Sequence, residues 1–213
     1  YNEKTLIGRL HKYFSAYFET FSAPSAETLF LLILSILALE SAHSIRFLYR
    51  HFLSGITTKS LNAFYYACSY AKVDCSGFMN VTAKIALHLI PESLKSQPVF
   101  IRFAGIEISY YEQKTFWSLC SYMVRSCKGI EMMINLINVA YCAMKLLPYQ
   151  DESFSDFRDK SVQDFRFALS EGIRQQVFFA TFVKNIETRI KSSSVINALK
   201  RAIVKQEHYF IKL

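Results

Sequence analysis

Glycine and proline are scarce in this sequence, with six and four among 213 residues. A fold built from many short strands needs turn residues far more often, so the composition argues against an all-β sandwich or barrel. The chain is long enough to bury a substantial core, and 52% of its residues are hydrophobic. We therefore predict a mainly α protein, a multi-helix bundle with short connections.

Several signatures of enzymes and metal sites are also missing. The sequence contains no G-x-x-x-x-G-K phosphate loop, no H-E-x-x-H zinc motif and no C-x-x-C pair. The five histidines are scattered without ligand spacing. An odd number of cysteines predicts reduced, mostly buried thiols in a cytosolic protein; they are Cys68, Cys75, Cys120, Cys127 and Cys142.

No hydrophobic run is long enough to predict a membrane span. The most apolar one, residues 29–39, is well short of the roughly 20 residues that cross a bilayer, and Glu40 closes it. It also begins too late for a signal peptide and lacks a small-x-small cleavage site. We predict a buried core helix here and no contact with a membrane.

Basic charge is unevenly distributed along the chain, whose net charge is +8. Residues 95–128 carry +3 and residues 184–213 carry +5, whereas residues 129–183 carry −2. A polyanionic partner would be attracted to the basic segments, and nucleic acid is the first candidate. The alternative is an ordinary solvated basic surface.

Hydrophobic spacing divides the chain mainly into helices. It predicts one short strand, residues 97–101, and an acidic loop, residues 149–159. The strand stands alone and has no predicted partner. The predicted helices are residues 4–21, 25–42, 45–55, 61–70, 78–89, 107–126, 130–147, 161–190 and 194–209.

The helices 61–70 and 78–89, joined by a turn at 73–77, are compatible with a helix-turn-helix DNA reader. Lys72 and Lys84 lie close enough in sequence to contact phosphates. An ordinary helix pair has the same pattern, so this interpretation remains one of two.

The segment 105–125, GIEISYYEQKTFWSLCSYMVR, suggests a specific chemistry. Glu107 and Lys114 are seven residues apart, almost two helical turns, so on a helix they share a face. This spacing and the flanking text KGIEMMINLINVAYCAMKLLP resemble DDE transposases of bacterial insertion sequences with a Y-x2-R-x3-E-x6-K signature. The resemblance covers two blocks, about residues 1–101 and 105–213.

The resemblance implies a ribonuclease-H-like core whose two aspartates and one glutamate bind two Mg²⁺ ions. Two metal ions would clamp the attacking and leaving oxygens during DNA strand cleavage and joining in transposition. Glu107 would be the remaining catalytic carboxylate, and Lys114 would contact DNA near the transposon end. Arg125 and Lys128 follow and are the further candidates for DNA binding.

Departures from the signature predict that the nuclease is incomplete. The signature Tyr falls on Phe100 and the signature Arg on Phe103, with Arg102 one residue out of register. No carboxylate follows the predicted strand before Glu107, so both catalytic aspartates are missing. We interpret this as an internal deletion that leaves an N-terminal helical region, residues 1–96, and a remnant of the catalytic domain, residues 97–213, with one or two short strands at most.

We therefore expect a catalytically defective transposase remnant in the bacterial cytoplasm. It would bind DNA, with no complete Mg²⁺ site, and would associate with further copies of itself or with an intact transposase. One alternative is a non-catalytic helical protein that acts only by pairing with an intact transposase; another is a nuclease completed by a second chain's carboxylates. In the plainer interpretation, Glu107 is a first-turn helix residue and Lys114 and Arg125 are solvated.

Overall fold

The computed structural model describes residues 2–39, 44–70, 75–95, 126–191, 194 and 196–197. Within these ranges the chain is helical and contains no strand, which confirms the predicted mainly α bundle. The α-helices are α1 (Leu6–Ser15), α2 (Ala23–Ala38), α3 (Ile45–Leu48), α4 (Ser54–Ile56), α5 (Leu61–Tyr70), α6 (Cys75–His88), α7 (Cys127–Gln150) and α8 (Val162–Ile190).

Three short helical segments complete the described part of the chain. A π-helical turn, Tyr49–Leu53, joins α3 to α4, and 3-10 helices span Glu92–Leu94 and Glu152–Phe157. The last of these replaces much of the predicted acidic loop and buries Phe154 against the ring of Phe165, 5.4 Å away. The predicted strand 97–101 and residues 107–125 of the predicted helix 107–126 lie outside the described residues, as does most of the predicted basic helix 194–209.

The chain forms two compact units, Tyr1–Arg174 and Gln175–Leu213. In the first unit α2 packs against α5, α7 and the π-helical turn, and α7 also packs against α5 and α6. The division predicted from the sequence, at residue 96, falls next to a segment outside the described residues and stays a prediction.

Helix α2 is the centre of the first unit, as its apolar sequence predicted. Every residue from Thr28 to Ala38 is buried. The helix begins at Ala23, whereas the sequence predicted Ser25 as its cap, because Pro24 lacks an N–H and fits the first turn without loss. It ends at Ala38, before the predicted end at 42, since Leu39 is extended.

Two buried side chains of α8 satisfy the C-terminal carbonyl groups of α2. Arg166 donates from Nη2 to the Leu39 carbonyl oxygen at 2.9 Å, and the Ser170 hydroxyl donates to the Ala38 carbonyl oxygen at 3.0 Å. A helix leaves its last carbonyls without intrahelical partners, and burying them unpaired would cost free energy. The beginning of α8 therefore caps α2 from another part of the chain.

Local signals explain why other predicted boundaries are wrong. Helix α1 is shorter than the predicted helix 4–21. It starts after Thr5, whose Oγ1 accepts the N–H of Gly8 at 3.1 Å, and it ends where tight turns begin at residues 16–21. Helix α6 begins at Cys75, so Gly77 belongs to the helix and not to the predicted turn. Helix α7 continues through Pro148 to Gln150, since the Asp151 N–H still donates to the Leu147 carbonyl and closes the last turn.

One described helix, α7, is long and apolar enough by length and composition to cross a membrane. Of its most apolar window, 56% is buried inside the bundle. The core helices of soluble proteins meet the same two criteria, so this helix alone is weak support for a membrane span.

Removing the Ser170 hydroxyl should destabilise the bundle. Ser170→Ala leaves the buried Ala38 carbonyl without this donor, so we expect a loss of about 1–2 kcal/mol in the free energy of unfolding, measured by urea titration. Ser15→Ala removes an exposed hydroxyl bonded to a local carbonyl and is the matched control. Equal unfolding midpoints for the two variants would contradict the capping role.

Burial should protect Cys68 from alkylation. Removal from water raises the pKa of its thiol to about 12, so near pH 8 only about one molecule in 10,000 carries the reactive thiolate. Cys127 is exposed at the start of α7. Mass mapping after brief iodoacetamide treatment should find Cys127 labelled and Cys68 unlabelled until urea is added; labelling of Cys68 in the native protein at the rate of Cys127 would contradict the structure.

Candidate nucleic-acid interface

Of the residues predicted to carry function, Lys128 lies in the described part of the chain. Glu107, Lys114 and Arg125 lie outside the described residues, and their predicted roles stay predictions. Lys128 is exposed and is the second residue of α7.

The start of α7 is fixed by a serine cap. Ser126 is extended, and its Oγ accepts the N–H of Gly129 at 3.1 Å. The sequence predicted that Lys128 and Gly129 lie between two helices; instead they belong to the first turn of α7. The N-terminal end of a helix carries a partial positive charge, which does not stabilise a lysine in the first turn. An anion bound near Lys128 would offset this unfavourable interaction.

The end of α5 lies beside this turn. The hydroxyl groups of Ser69 and Ser126 are 3.2 Å apart and share a hydrogen bond. On α5, Tyr66 and Tyr70 are 67% and 69% exposed, and their rings stack with centroids 5.2 Å apart. We call Tyr66, Tyr70 and Lys128 the tyrosine–lysine surface.

The tyrosine–lysine surface offers two kinds of contact that nucleic acids use. Exposed aromatic rings stack with bases of any sequence, and an ammonium group contacts phosphate oxygens. Sequence reasoning missed both tyrosines. Because Phe64, Ala67 and Cys68 form the buried side of α5, a helical projection of this segment could have placed Tyr66 and Tyr70 away from the core.

Helix α6, the second helix of the predicted helix-turn-helix, is anchored through an aromatic cluster. The Phe78 ring lies 6.2 Å from each of the rings of Tyr17, Phe18 and Phe21. The hydroxyls of Tyr17 and Thr82 share a hydrogen bond of 3.0 Å. These contacts hold α6 by one side.

The other side of α6 is exposed and carries Asn80, Lys84 and His88 at helical spacing. Amide, ammonium and imidazole groups are donors that can reach base edges or phosphates in a DNA groove. Both helices of the predicted motif therefore exist, but residues 71–74, which include Lys72, lie outside the described residues. The helix-turn-helix itself stays a prediction.

A cavity of about 440 Å³ lies elsewhere in the first unit, between α1, α6 and the end of α7. Its cations already face carboxylates: Lys12 Nζ lies 2.8 Å from Glu3 Oε2, and Arg9 Nε lies 4.0 Å from Asp151 Oδ2. Burial raises the pKa of Tyr13, which lines the cavity, so its hydroxyl stays protonated. These pairs make the cavity a poor anion site.

The described residues do not assemble a metal centre. Within these ranges, no group of three or more His, Cys, Asp or Glu side chains could hold a metal ion. Glu107, the predicted remnant of the metal site, is outside them. The expectation about Mg²⁺ therefore stays a prediction.

Comparison with known proteins returns no family model, no curated protein and no solved structure that matches this chain. The transposase resemblance therefore rests on the sequence segments quoted above.

Removing the Phe78 ring should release α6 from the bundle. Phe78 is 2% exposed, so Phe78→Ala leaves a cavity and should cost about 3–5 kcal/mol. Faster amide hydrogen exchange over residues 75–88 would report the release. Met79→Ala, at a position 60% exposed, is the control; equal exchange in the two variants would show that Phe78 does not hold the helix.

Proposed function

We propose that this chain is a catalytically inactive protein of the DDE transposase type that retains DNA binding. The sequence resemblance supports the assignment to the DDE transposase type. The absence of aspartates between the predicted strand 97–101 and Glu107 supports the lack of catalytic activity. The tyrosine–lysine surface carries the proposal of DNA binding. The end of α5, which exposes the two stacked rings, is joined by the Ser69–Ser126 hydrogen bond to the start of α7, whose second residue is Lys128.

Binding by this surface would be largely independent of base sequence. Phosphate contacts depend on charge alone, and each weakens as salt concentration rises because counterions are released when it forms. Stacking on Tyr66 and Tyr70 requires unpaired or splayed bases. Single-stranded DNA, or a duplex with frayed ends, would therefore bind more tightly through this surface than a closed duplex.

A fluorescence anisotropy titration with a labelled single strand tests the proposal. Replacing both Tyr66 and Tyr70 with Ala should weaken binding by about 1–3 kcal/mol for each base that stacks. Lys128→Ala should weaken binding and reduce the slope of log affinity against log salt by about one. Lys145→Ala removes an exposed cation from the same helix and is the matched control.

Two results would contradict this proposal. Absence of binding at low salt would remove the DNA-binding function, and equal loss in the Lys128 and Lys145 variants would remove the role of the tyrosine–lysine surface. Inactivity is tested separately with supercoiled plasmid and Mg²⁺. Nicking that disappears in Glu107→Gln would show an active nuclease, as expected for a site completed by a second chain.

A further inference from the structure

The second half of α8 exposes a continuous apolar stripe on one face. Its six members are between 40% and 64% exposed, although all are large hydrophobic side chains. They recur at intervals of three and four residues, which places them on one side of the helix. We call them the α8 stripe: Phe178, Phe179, Phe182, Val183, Ile186 and Ile190.

The α8 stripe differs from the apolar side of the first half of the helix. There, Val162, Phe165, Leu169 and Ile173 are buried, with at most 8% of each side chain exposed. A spacing of four residues advances about 40° around a helix of 3.6 residues per turn, so the later residues turn onto a different face.

Charged side chains of this segment lie on the opposite side. Three exposed charged residues lie on a face of the helix that does not include the stripe: Lys184, Glu187 and Lys191. The segment is therefore amphipathic, with an uncharged surface wide enough to receive another helix. Soluble proteins seldom leave an apolar surface of this size in water unless it is an interaction site.

We infer that a second copy of this chain covers the α8 stripe, and that the two stripes pack against each other around a two-fold axis. A large apolar side chain that is about half exposed offers roughly 100 Å², so six of them offer about 600 Å² in each copy. Two copies would bury about 1,200 Å², the lower end of the range for specific interfaces. The stripe alone therefore suffices for a reversible dimer.

The order of side chains favours an antiparallel pair. Three phenylalanines occupy the N-terminal part of the stripe, where the rings of Phe178 and Phe182 stack 6.0 Å apart. The smaller Val183, Ile186 and Ile190 occupy the C-terminal part. An antiparallel pair places the rings of each copy over the smaller side chains of the other, so the distance between the helices stays even along the contact.

A parallel pair would instead place rings over rings at one end and leave a gap at the other. An isologous antiparallel contact also closes on itself, which gives a dimer and no open filament. This inference goes beyond the proposed function and does not depend on DNA.

Sedimentation equilibrium of the purified full chain, without DNA, tests the inference. Over about 1–100 µM we expect a reversible monomer–dimer equilibrium. Phe182→Glu places a charge in the centre of each stripe and should raise the dissociation constant by about 100-fold or more. Thr181→Glu adds the same charge to an exposed position on the other side of the helix and should leave the dimer intact.

Circular dichroism of each variant provides the check on folding, because Phe182 is exposed and its replacement should preserve helix content. A monomeric wild-type chain throughout this range would overturn the inference, whether or not it binds lipid vesicles through the stripe. A dimer that survives Phe182→Glu, or one that Thr181→Glu disrupts equally, would place the interface elsewhere and also overturn it.

Discussion

A helix that is apolar on nearly every side must be surrounded, and this constraint organises the first compact unit. Helix α2 is buried from Thr28 to Ala38, so other helices must cover all of its faces. The C-terminal end of α2 imposes a second constraint, because its buried carbonyl groups need hydrogen-bond donors. Arg166 and Ser170 of α8 donate these hydrogen bonds, so the beginning of α8 is held at the end of α2 by hydrogen bonds as well as by packing.

The candidate interface depends on the same arrangement. Helices α5 and α7 both pack against α2, which brings Ser69 and Ser126 into contact. That contact joins the end of α5, which exposes Tyr66 and Tyr70, to the N-cap residue of α7, two residues before Lys128. The side chains of the tyrosine–lysine surface are exposed and do not pack in the core. The helices that carry them are positioned by their packing against α2.

Sequence reasoning succeeds here where the signal is local. The sequence predicted a helix over residues 161–190, and α8 spans Val162–Ile190. Ser161 marks this start, because its Oγ accepts the N–H of Asp164 at 3.1 Å and donates to the Asp164 carboxylate at 2.7 Å. Sequence reasoning fails at two prolines. Pro24 lies in the first turn of α2 and Pro148 lies inside α7, whereas the sequence predicted a helix start at 25 and a helix end at 147. A contact between residues far apart in sequence, such as Ser69 with Ser126, produces no periodic pattern in the sequence. The sequence therefore could not predict which residues form the tyrosine–lysine surface.

The hydrogen bonds from Arg166 and Ser170 to the end of α2 span 127 and 132 residues of sequence. During synthesis the ribosome completes α2 long before it makes the residues that cap it; at about 5–20 residues per second this delay is roughly 6–26 s. Helix α5 and the π-helical turn are made early in this interval, but α7 and the two capping side chains are still missing from α2 until late in it. This end of α2 can therefore reach its final hydrogen-bonded state only after the first turns of α8 have been made.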